Sequence, residues 1–242
     1  MSQEEDILKN LRQIIKEQGI DSFHLLEDLV PIEDQMDYFR HYDKVRVENA
    51  SFDRDEEIVI LFSSNQPLER KKKSLLRLAS IPDVRAYRAI ETYHSSPAEP
   101  ELTNWSSMSL LGSRILLSSN LSGQQQIYIS SGLGGADKRL RFFGLFATKN
   151  RAELTELQRE IVEREFIFYF EKAGISIEKF EIKDNYFTIL MRFPIDSDAR
   201  RVISEALEEI NKYGDFLNSK YLFTNVRILS DEQIEKMLAK EI

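Results

Sequence analysis

The chain has 242 residues, a formal net charge of −8, and 42% hydrophobic and 31% charged residues. That length accommodates one large domain or two of ordinary size, and the composition is typical of a folded globular protein. No cysteine occurs, which excludes disulfides, thiolate nucleophiles, iron–sulfur clusters and thiolate zinc sites.

The first 96 residues are predicted to form N-terminal helices followed by a ββαβ unit. Apolar residues recur at helical spacing from Ile7 to Ile15 and again from Phe23 to Leu29. Pro67 stands where proline is favoured, in the first turn of a helix. The predicted elements of the ββαβ unit are strands Val45–Phe52 and Glu57–Ser63, a helix between Pro67 and Pro82, and strand Val84–Tyr93.

Residues 97–138 are predicted to contain a linker, a hairpin and a glycine-rich loop. Ser95–Pro100 is polar and contains proline, which is typical of a linker. Arg114–Ser118 and Gln125–Ser130 are predicted to pair as a hairpin. The single tryptophan, Trp105, is predicted to lie in a loop or a short helix.

The C-terminal part, residues 139–242, is predicted to follow the order strand, helix, strand, strand, helix, strand. This is the order of the split βαβ, or ferredoxin-like, unit, and residues 139–229 resemble that widely shared superfold. The predicted elements are strand Leu140–Phe146, a helix from about Arg151 to Ala173, strands Ile175–Lys183 and Tyr186–Ile195, a helix Ser197–Tyr213, and strand Lys220–Leu229. A last helix, Asp231–Ile242, is predicted to follow.

The order hairpin, helix, strand is thus predicted twice, at 45–93 and at 175–229. The repetition is either a duplication or a coincidence, because this is a simple arrangement of elements. The predicted fold class is α+β, with two ferredoxin-like units (ββαβ and βαββαβ), antiparallel sheets and added helices at both ends. Phe166–Phe170 is apolar on all sides of its predicted helix, which predicts contact with the other unit or with a second subunit.

Charge is distributed unevenly along the chain. Residues 67–150 carry a net charge of +6, whereas 1–66 carry −9 and 151–242 carry −5. A basic middle suits a polyanion, the chain's own acidic surfaces or a second copy. No apolar run approaches the roughly 20 residues of a membrane-spanning helix, and the acidic N-terminus is unlike a secretory signal. We therefore expect a cytoplasmic protein that makes no membrane contact.

A glycine-rich stretch with two cations at its end is the pattern in the sequence that most suggests a ligand-binding site. It comprises Gly132, Gly134, Gly135, Lys138 and Arg139. Successive glycines can turn backbone N–H groups toward an anion, and the two cations would complete such a ligand site. A phosphate loop normally leads into a helix N-terminus, whereas this stretch is predicted to join two strands. A mobile hairpin loop is therefore the favoured interpretation, and a ligand site is the alternative.

A run of cations provides the candidate residues for nucleic-acid binding. They are Arg70, Lys71, Lys72 and Lys73 on one predicted helix, with Arg141 further along the chain. Contact with phosphates through such residues would depend strongly on salt. Aromatic residues that could stack on bases are sparse nearby, and no RNA-recognition signature occurs. A solvated helix face that balances acidic neighbours is the favoured interpretation.

No residue cluster in the sequence predicts catalysis. His41 lies near Asp43, and His94 precedes Ser95, but neighbours in sequence do not face one another on a strand. The carboxylates between Asp53 and Glu57 are predicted to lie in a solvated turn, because a calcium loop would need a glycine and a terminal glutamate that are missing. We therefore predict no catalytic residue, no metal site and no cofactor.

The favoured functional hypothesis is a non-catalytic regulatory or interaction protein. It would bind a protein partner or a small ligand, and it could form a homodimer. The alternative hypothesis is nucleic-acid or nucleotide-phosphate binding through the basic middle segment. A third hypothesis is an enzyme that works through His41 or His94 with neighbouring acids.

Overall fold

The computed structural model describes residues 23–48, 51–123, 127–195 and 197–239. The predicted helix between Ile7 and Ile15 lies outside these ranges. The described residues fall into two compact units, which we call the helical unit, within Ile20–Gly134, and the sheet unit, within Gly135–Ile242. The three-part division drawn from the sequence stays a prediction about domains.

The helical unit is built mainly from five α-helices. They are α1 (Ile32–Glu48), α2 (Arg54–Phe62), α3 (Leu68–Ala79), α4 (Val84–Ser95) and α5 (Thr103–Ser122). Two short strands, β1 (Phe23–Leu25) and β2 (Ile127–Ile129), pair in parallel. Apolar side chains from all five helices form the core, including Tyr38, Leu61, Leu75, Ile90 and Trp105.

The predicted strand Glu57–Ser63 is wrong, because this segment belongs to helix α2. The Asp53 side chain accepts hydrogen bonds from the backbone N–H groups of Asp55 and Glu56 and so caps the helix. The helix buries Glu57 and Leu61, which lie four residues apart, and leaves the Val59 side chain 69% exposed. An apolar run of five residues suits a strand or a helix, and here the cap and the helical burial pattern decide.

The predicted strands Val45–Phe52 and Val84–Tyr93 are also wrong. Helix α1 extends through Glu48, and α4 occupies the second segment. Asp83 caps α4 by accepting a hydrogen bond from the Ala86 N–H. The residues that α4 buries follow the helical period of three to four, not the strand period of two; they are Ala86, Ala89, Ile90 and Tyr93. A ferredoxin-like unit at 45–93 is therefore not formed.

The predicted hairpin of Arg114–Ser118 with Gln125–Ser130 is wrong as well, since the first strand lies inside α5. Trp105 lies in this same helix, near its start. Serine favours caps and turns over helix interiors, which obscured the helix in the sequence. Gly123, with a φ of +65°, ends it in the left-handed conformation that favours glycine.

The sheet unit has the order of elements that the sequence predicts for residues 139–229. It contains β3 (Gly135–Ala136), β4 (Arg139–Thr148), α6 (Glu156–Lys172), β5 (Ser176–Ile182), β6 (Tyr186–Pro194), α7 (Ala199–Asn211), β7 (Leu217–Thr224) and α8 (Asp231–Leu238). The strands lie in the order β7-β4-β6-β5, each antiparallel to its neighbour, and β3 pairs with the first residues of β4. The α+β class is thereby confirmed.

One face of this sheet carries an aromatic core. Phe142 stacks on Phe223 of β7 with ring centroids 4.3 Å apart, and Phe146 lies 4.9 Å from Phe166 of α6. Side chains alternate between the two faces of a strand. The odd-numbered residues of β4, which begin with Arg139, therefore lie on the opposite face.

Within the described ranges, no helix combines the length and apolarity that crossing a bilayer requires.

Candidate nucleic-acid interface

Three arginines lie together on that opposite face of the sheet. Arg139 and Arg141 are two residues apart on β4, so their side chains share a face. Arg192 on β6 pairs directly with Arg141 in the antiparallel register. Like charges placed directly opposite each other destabilise a sheet, so this position needs an anion nearby. We call Lys138, Arg139, Arg141 and Arg192 the arginine cluster.

Glu178 of strand β5 supplies one anion to the arginine cluster. Its carboxylate accepts two hydrogen bonds from Arg141, at 2.5 Å from Nε and 3.0 Å from Nη2. The same carboxylate lies 2.9 Å from Nε of Arg192, and Asp137 Oδ2 lies 3.5 Å from Nη1 of Arg192. The Arg141 side chain is 12% exposed and that of Arg192 24%, which leaves both within reach of solvent anions.

The turn between β3 and β4 places Lys138 beside the arginines. Ala136 pairs with Arg139, so Asp137 and Lys138 form a two-residue loop, and both have positive φ, 53° and 59°. Such hairpin loops normally use asparagine or glycine, because larger side chains rarely adopt this conformation. Both residues are exposed. The turn therefore holds an exposed lysine in a strained backbone conformation directly before Arg139.

The glycines of the predicted ligand site are buried. Gly132 and Gly134 lie in the helical unit, and Gly135 lies in β3 of the sheet unit. A Cβ atom on Gly134 would lie 2.3 Å from the Asp28 carbonyl oxygen, and one on Gly135 would lie 2.3 Å from the Arg139 carbonyl oxygen. Gly134 and Gly135 therefore allow close backbone packing, and ligand binding at the glycine-rich stretch stays a prediction.

The cations of helix α3 make ion pairs within the helical unit. Arg70 donates two hydrogen bonds to Glu57, at 2.6 and 3.0 Å. Lys71 is 1% exposed and its Nζ lies 2.5 Å from Glu99. Lys72 lies 2.8 Å from the Glu69 carboxylate and 4.9 Å from the Trp105 ring centroid. Lys73 is partly exposed on the same helix. Carboxylates of the protein itself thus pair with several of the cations that the sequence suggested for nucleic-acid binding.

The structure gives His94 partners that differ from its neighbours in sequence. His94 Nε2 lies 3.2 Å from Asp28 Oδ2, and His94 Nδ1 lies 3.0 Å from Ser106 Oγ. Asp28, His94 and Ser106 thus form a hydrogen-bonded acid–histidine–serine arrangement. The Ser106 side chain, however, is fully buried, and its hydroxyl donates to the Thr103 carbonyl. A substrate could not reach that hydroxyl, so this arrangement has no accessible nucleophile.

The other candidate side chains have structural partners. His41 Nδ1 lies 2.9 Å from the Asp37 carbonyl oxygen. The carboxylates from Asp53 to Glu57 belong to the cap and first turn of α2, where negative charge is favourable. In the part of the chain that the structure describes, no group of three or more histidines and carboxylates is placed to hold a metal ion.

Two similar solved structures are those of transposases. No protein-family model and no curated protein sequence matches the chain. One similar structure is a Deinococcus radiodurans protein provisionally classed as a transposase, with 16% identity and a TM-score of 0.36 over 43% of this chain and 91% of that one. Another is a REP-associated tyrosine transposase bound to a REP hairpin, with 13% identity and a TM-score of 0.34 over 40% of this chain and 62% of that one.

The favoured hypothesis, a non-catalytic regulatory or interaction protein, is not borne out by these comparisons, since both similar structures are those of transposases. At TM-scores of 0.36 and 0.34 the likeness assigns no function to this chain. The apolar helix segment that supported the favoured hypothesis is also partly accounted for, since Phe166 and Phe170 are fully buried while Phe168 is 55% exposed. The likeness is partial, so nucleic-acid binding has to be argued from this chain's own residues.

Proposed function

We propose that this protein binds nucleic acid, and that the arginine cluster of the sheet unit is the contact surface. The observation that carries the proposal is the direct pairing of Arg141 with Arg192, with Arg139 on the same face. A sheet gains nothing from opposed guanidinium groups, whereas the planar guanidinium fork matches phosphate geometry. The arrangement therefore has a physical rationale as an anion site.

Several features favour a polyanion over a single small anion. The cations come from two strands and a hairpin turn, so they present a row of donors. Nucleic-acid binding is dominated by contacts of Lys and Arg with successive phosphates.

We further propose that the sheet unit is ferredoxin-like, because its elements follow the order βαββαβ and its strands lie in the order β7-β4-β6-β5. Localisation and self-association stay predictions.

The cations of α3 are a secondary candidate surface. Charge reversal at Lys71 would place an acid beside Glu99 in a buried position, and so it would test folding more than binding. The sharper test uses the arginine cluster, where Lys138 is exposed and Arg139 is half-buried.

The double substitution Lys138→Gln/Arg139→Gln is expected to weaken oligonucleotide binding about tenfold, because two phosphate contacts are lost. The slope of log K against log salt should also become shallower by roughly 1.4 for a single strand, at about 0.7 for each phosphate contact. Fluorescence anisotropy with labelled single-stranded and hairpin oligonucleotides, from low to physiological salt, measures both quantities.

A matched control removes two positive charges from the helical unit. Arg85 and Arg88 on α4 have side chains that are 69% and 68% exposed, so Arg85→Gln/Arg88→Gln changes the net charge equally without touching the cluster. This control is expected to change affinity less than about twofold. Wild-type protein that binds no oligonucleotide at low salt, or equal losses in the two double variants, would contradict the proposal.

A further inference from the structure

The position of Glu178 on the edge of the sheet is irregular. In the β5–β6 register, Ile177 pairs with Met191 and Lys179 pairs with Leu190, so Glu178 is an extra residue at a β-bulge. Bulges re-aim side chains and recur next to functional sites. Here the bulge residue directs its carboxylate to Arg141 and Arg192.

The contacts of Glu178 are those that a phosphate would make. Its two oxygens accept a bidentate pair of hydrogen bonds from Nε and Nη2 of Arg141, and the oxygen that accepts from Nη2 also lies 2.9 Å from Nε of Arg192. Guanidinium groups bind carboxylate and phosphate in the same fork geometry. The Glu178 side chain is 23% exposed, so it can rotate toward solvent without leaving a buried cavity.

We propose that Glu178 is an internal competitor for the phosphate site of the arginine cluster, which a nucleic-acid phosphate displaces when it binds. This inference rests on the proposed function for the identity of the incoming anion. In the unbound protein, Glu178 offsets the repulsion between Arg141 and Arg192. In the complex, a phosphate takes over that role, and Glu178 sets how strongly an anion must bind to do so.

The test substitution is Glu178→Gln, which keeps the shape of the side chain and removes its charge. We expect this variant to bind single-stranded oligonucleotides about tenfold more tightly than wild type, with a similar salt slope, because the same phosphates are contacted in both complexes. The matched control is Glu181→Gln, three residues along the same strand, with a side chain that is 44% exposed. It removes the same charge outside the cluster and is expected to change affinity less than about twofold.

A second measurement separates this inference from nucleic-acid binding itself. Calorimetric unfolding with inorganic phosphate, at ionic strength held constant with chloride, reports anion binding to the folded state as a rise in Tm. We expect phosphate to raise the Tm of Glu178→Gln, which lacks the internal anion, and to leave wild type and Glu181→Gln nearly unchanged.

The outcomes are distinguishable. If wild type binds no oligonucleotide but phosphate stabilises Glu178→Gln selectively, the proposed function fails and the internal competitor stands as an anion-site device. If Glu178→Gln binds oligonucleotides no more tightly than Glu181→Gln, or if phosphate raises the Tm of all three proteins equally, the inference about Glu178 is overturned.

Discussion

Replacing Glu57 by alanine is expected to lower the free energy of unfolding of the helical unit by about 3 kcal/mol. The Glu57 side chain is 2% exposed and accepts hydrogen bonds from Arg70, Ser74 and Arg77, at distances from 2.5 to 3.0 Å. Its removal leaves two arginines, 27% and 18% exposed, without the carboxylate they share. An unpaired buried charge destabilises a protein far more than the intact pair stabilises it.

Urea unfolding followed by Trp105 fluorescence measures this loss, because Trp105 is the single tryptophan and lies in the helical unit. The control is Glu56→Ala, which changes the exposed neighbouring carboxylate in the same turn of α2 and is expected to change stability by less than about 0.5 kcal/mol. A loss below about 1 kcal/mol for Glu57→Ala would show that the two arginines find water or other partners at little cost.

The Glu57 carboxylate also predicts how the free energy of unfolding depends on pH. Burial acts to raise the pKa of Glu57, but the hydrogen bonds from Arg70, Ser74 and Arg77 outweigh it and hold the pKa below its usual range. The contribution of Glu57 is therefore fully present above the ordinary glutamate pKa of about 4.3 and is lost as pH falls through the lower folded value. The stability difference between wild type and Glu57→Gln should stay constant near neutral pH and shrink below about pH 4. A difference that grows on acidification would contradict this assignment.

The sheet unit could be predicted from the sequence because its local signals agree with one another. Strands β5 and β6 follow the predicted segments closely, and the left-handed Gly174, with a φ of +69°, ends α6 where expected. The helical unit could not be predicted, because α2 contains an apolar run that suits either element. Helix α4 contains β-branched and aromatic residues that are common in strands, such as Val84, Ile90 and Tyr93. Helix α5 was obscured for another reason, since it buries serines such as Ser106 and Ser109 among its apolar side chains.

Only some residues of the candidate interface could be predicted from the sequence. Arg141 lies in the predicted strand Leu140–Phe146 and Arg139 directly precedes it, so their shared face follows from alternation once the strand begins one residue earlier. Arg192 was missed, although it lies in another predicted strand, because opposing it to Arg141 requires the register between strands that are far apart in sequence. The bulge that aims Glu178 leaves no local signal. The partners of the α3 cations were hidden likewise, since Glu57 and Glu99 lie in segments whose structure was predicted wrongly or left as linker.

Replacing Gly134 by alanine is expected to destabilise the helical unit by roughly 3 kcal/mol, in contrast to about 1 kcal/mol for Gly123→Ala. Both glycines have nearly the same backbone conformation, with φ of +64° and +65°. They differ in their surroundings: a Cβ on Gly134 would lie 2.3 Å from the Asp28 carbonyl oxygen, whereas nothing lies within 4 Å of one on Gly123. The pair therefore separates the cost of a left-handed alanine from the cost of a collision with backbone.

This comparison also decides between two roles for the glycine-rich stretch. If Gly134 is there for packing against residues 26–28, its substitution should lower stability in urea, as monitored by Trp105 fluorescence, by about 2 kcal/mol more than that of Gly123. If the stretch is instead a mobile hairpin loop or an open ligand site, the two substitutions should cost the same, because only the backbone conformation would matter. Equal losses of stability in the two variants would keep the anion site at Gly132, Gly134 and Gly135 as an interpretation. A much larger loss for Gly134→Ala would show that Gly134 is needed for the close backbone contact with residues 26–28.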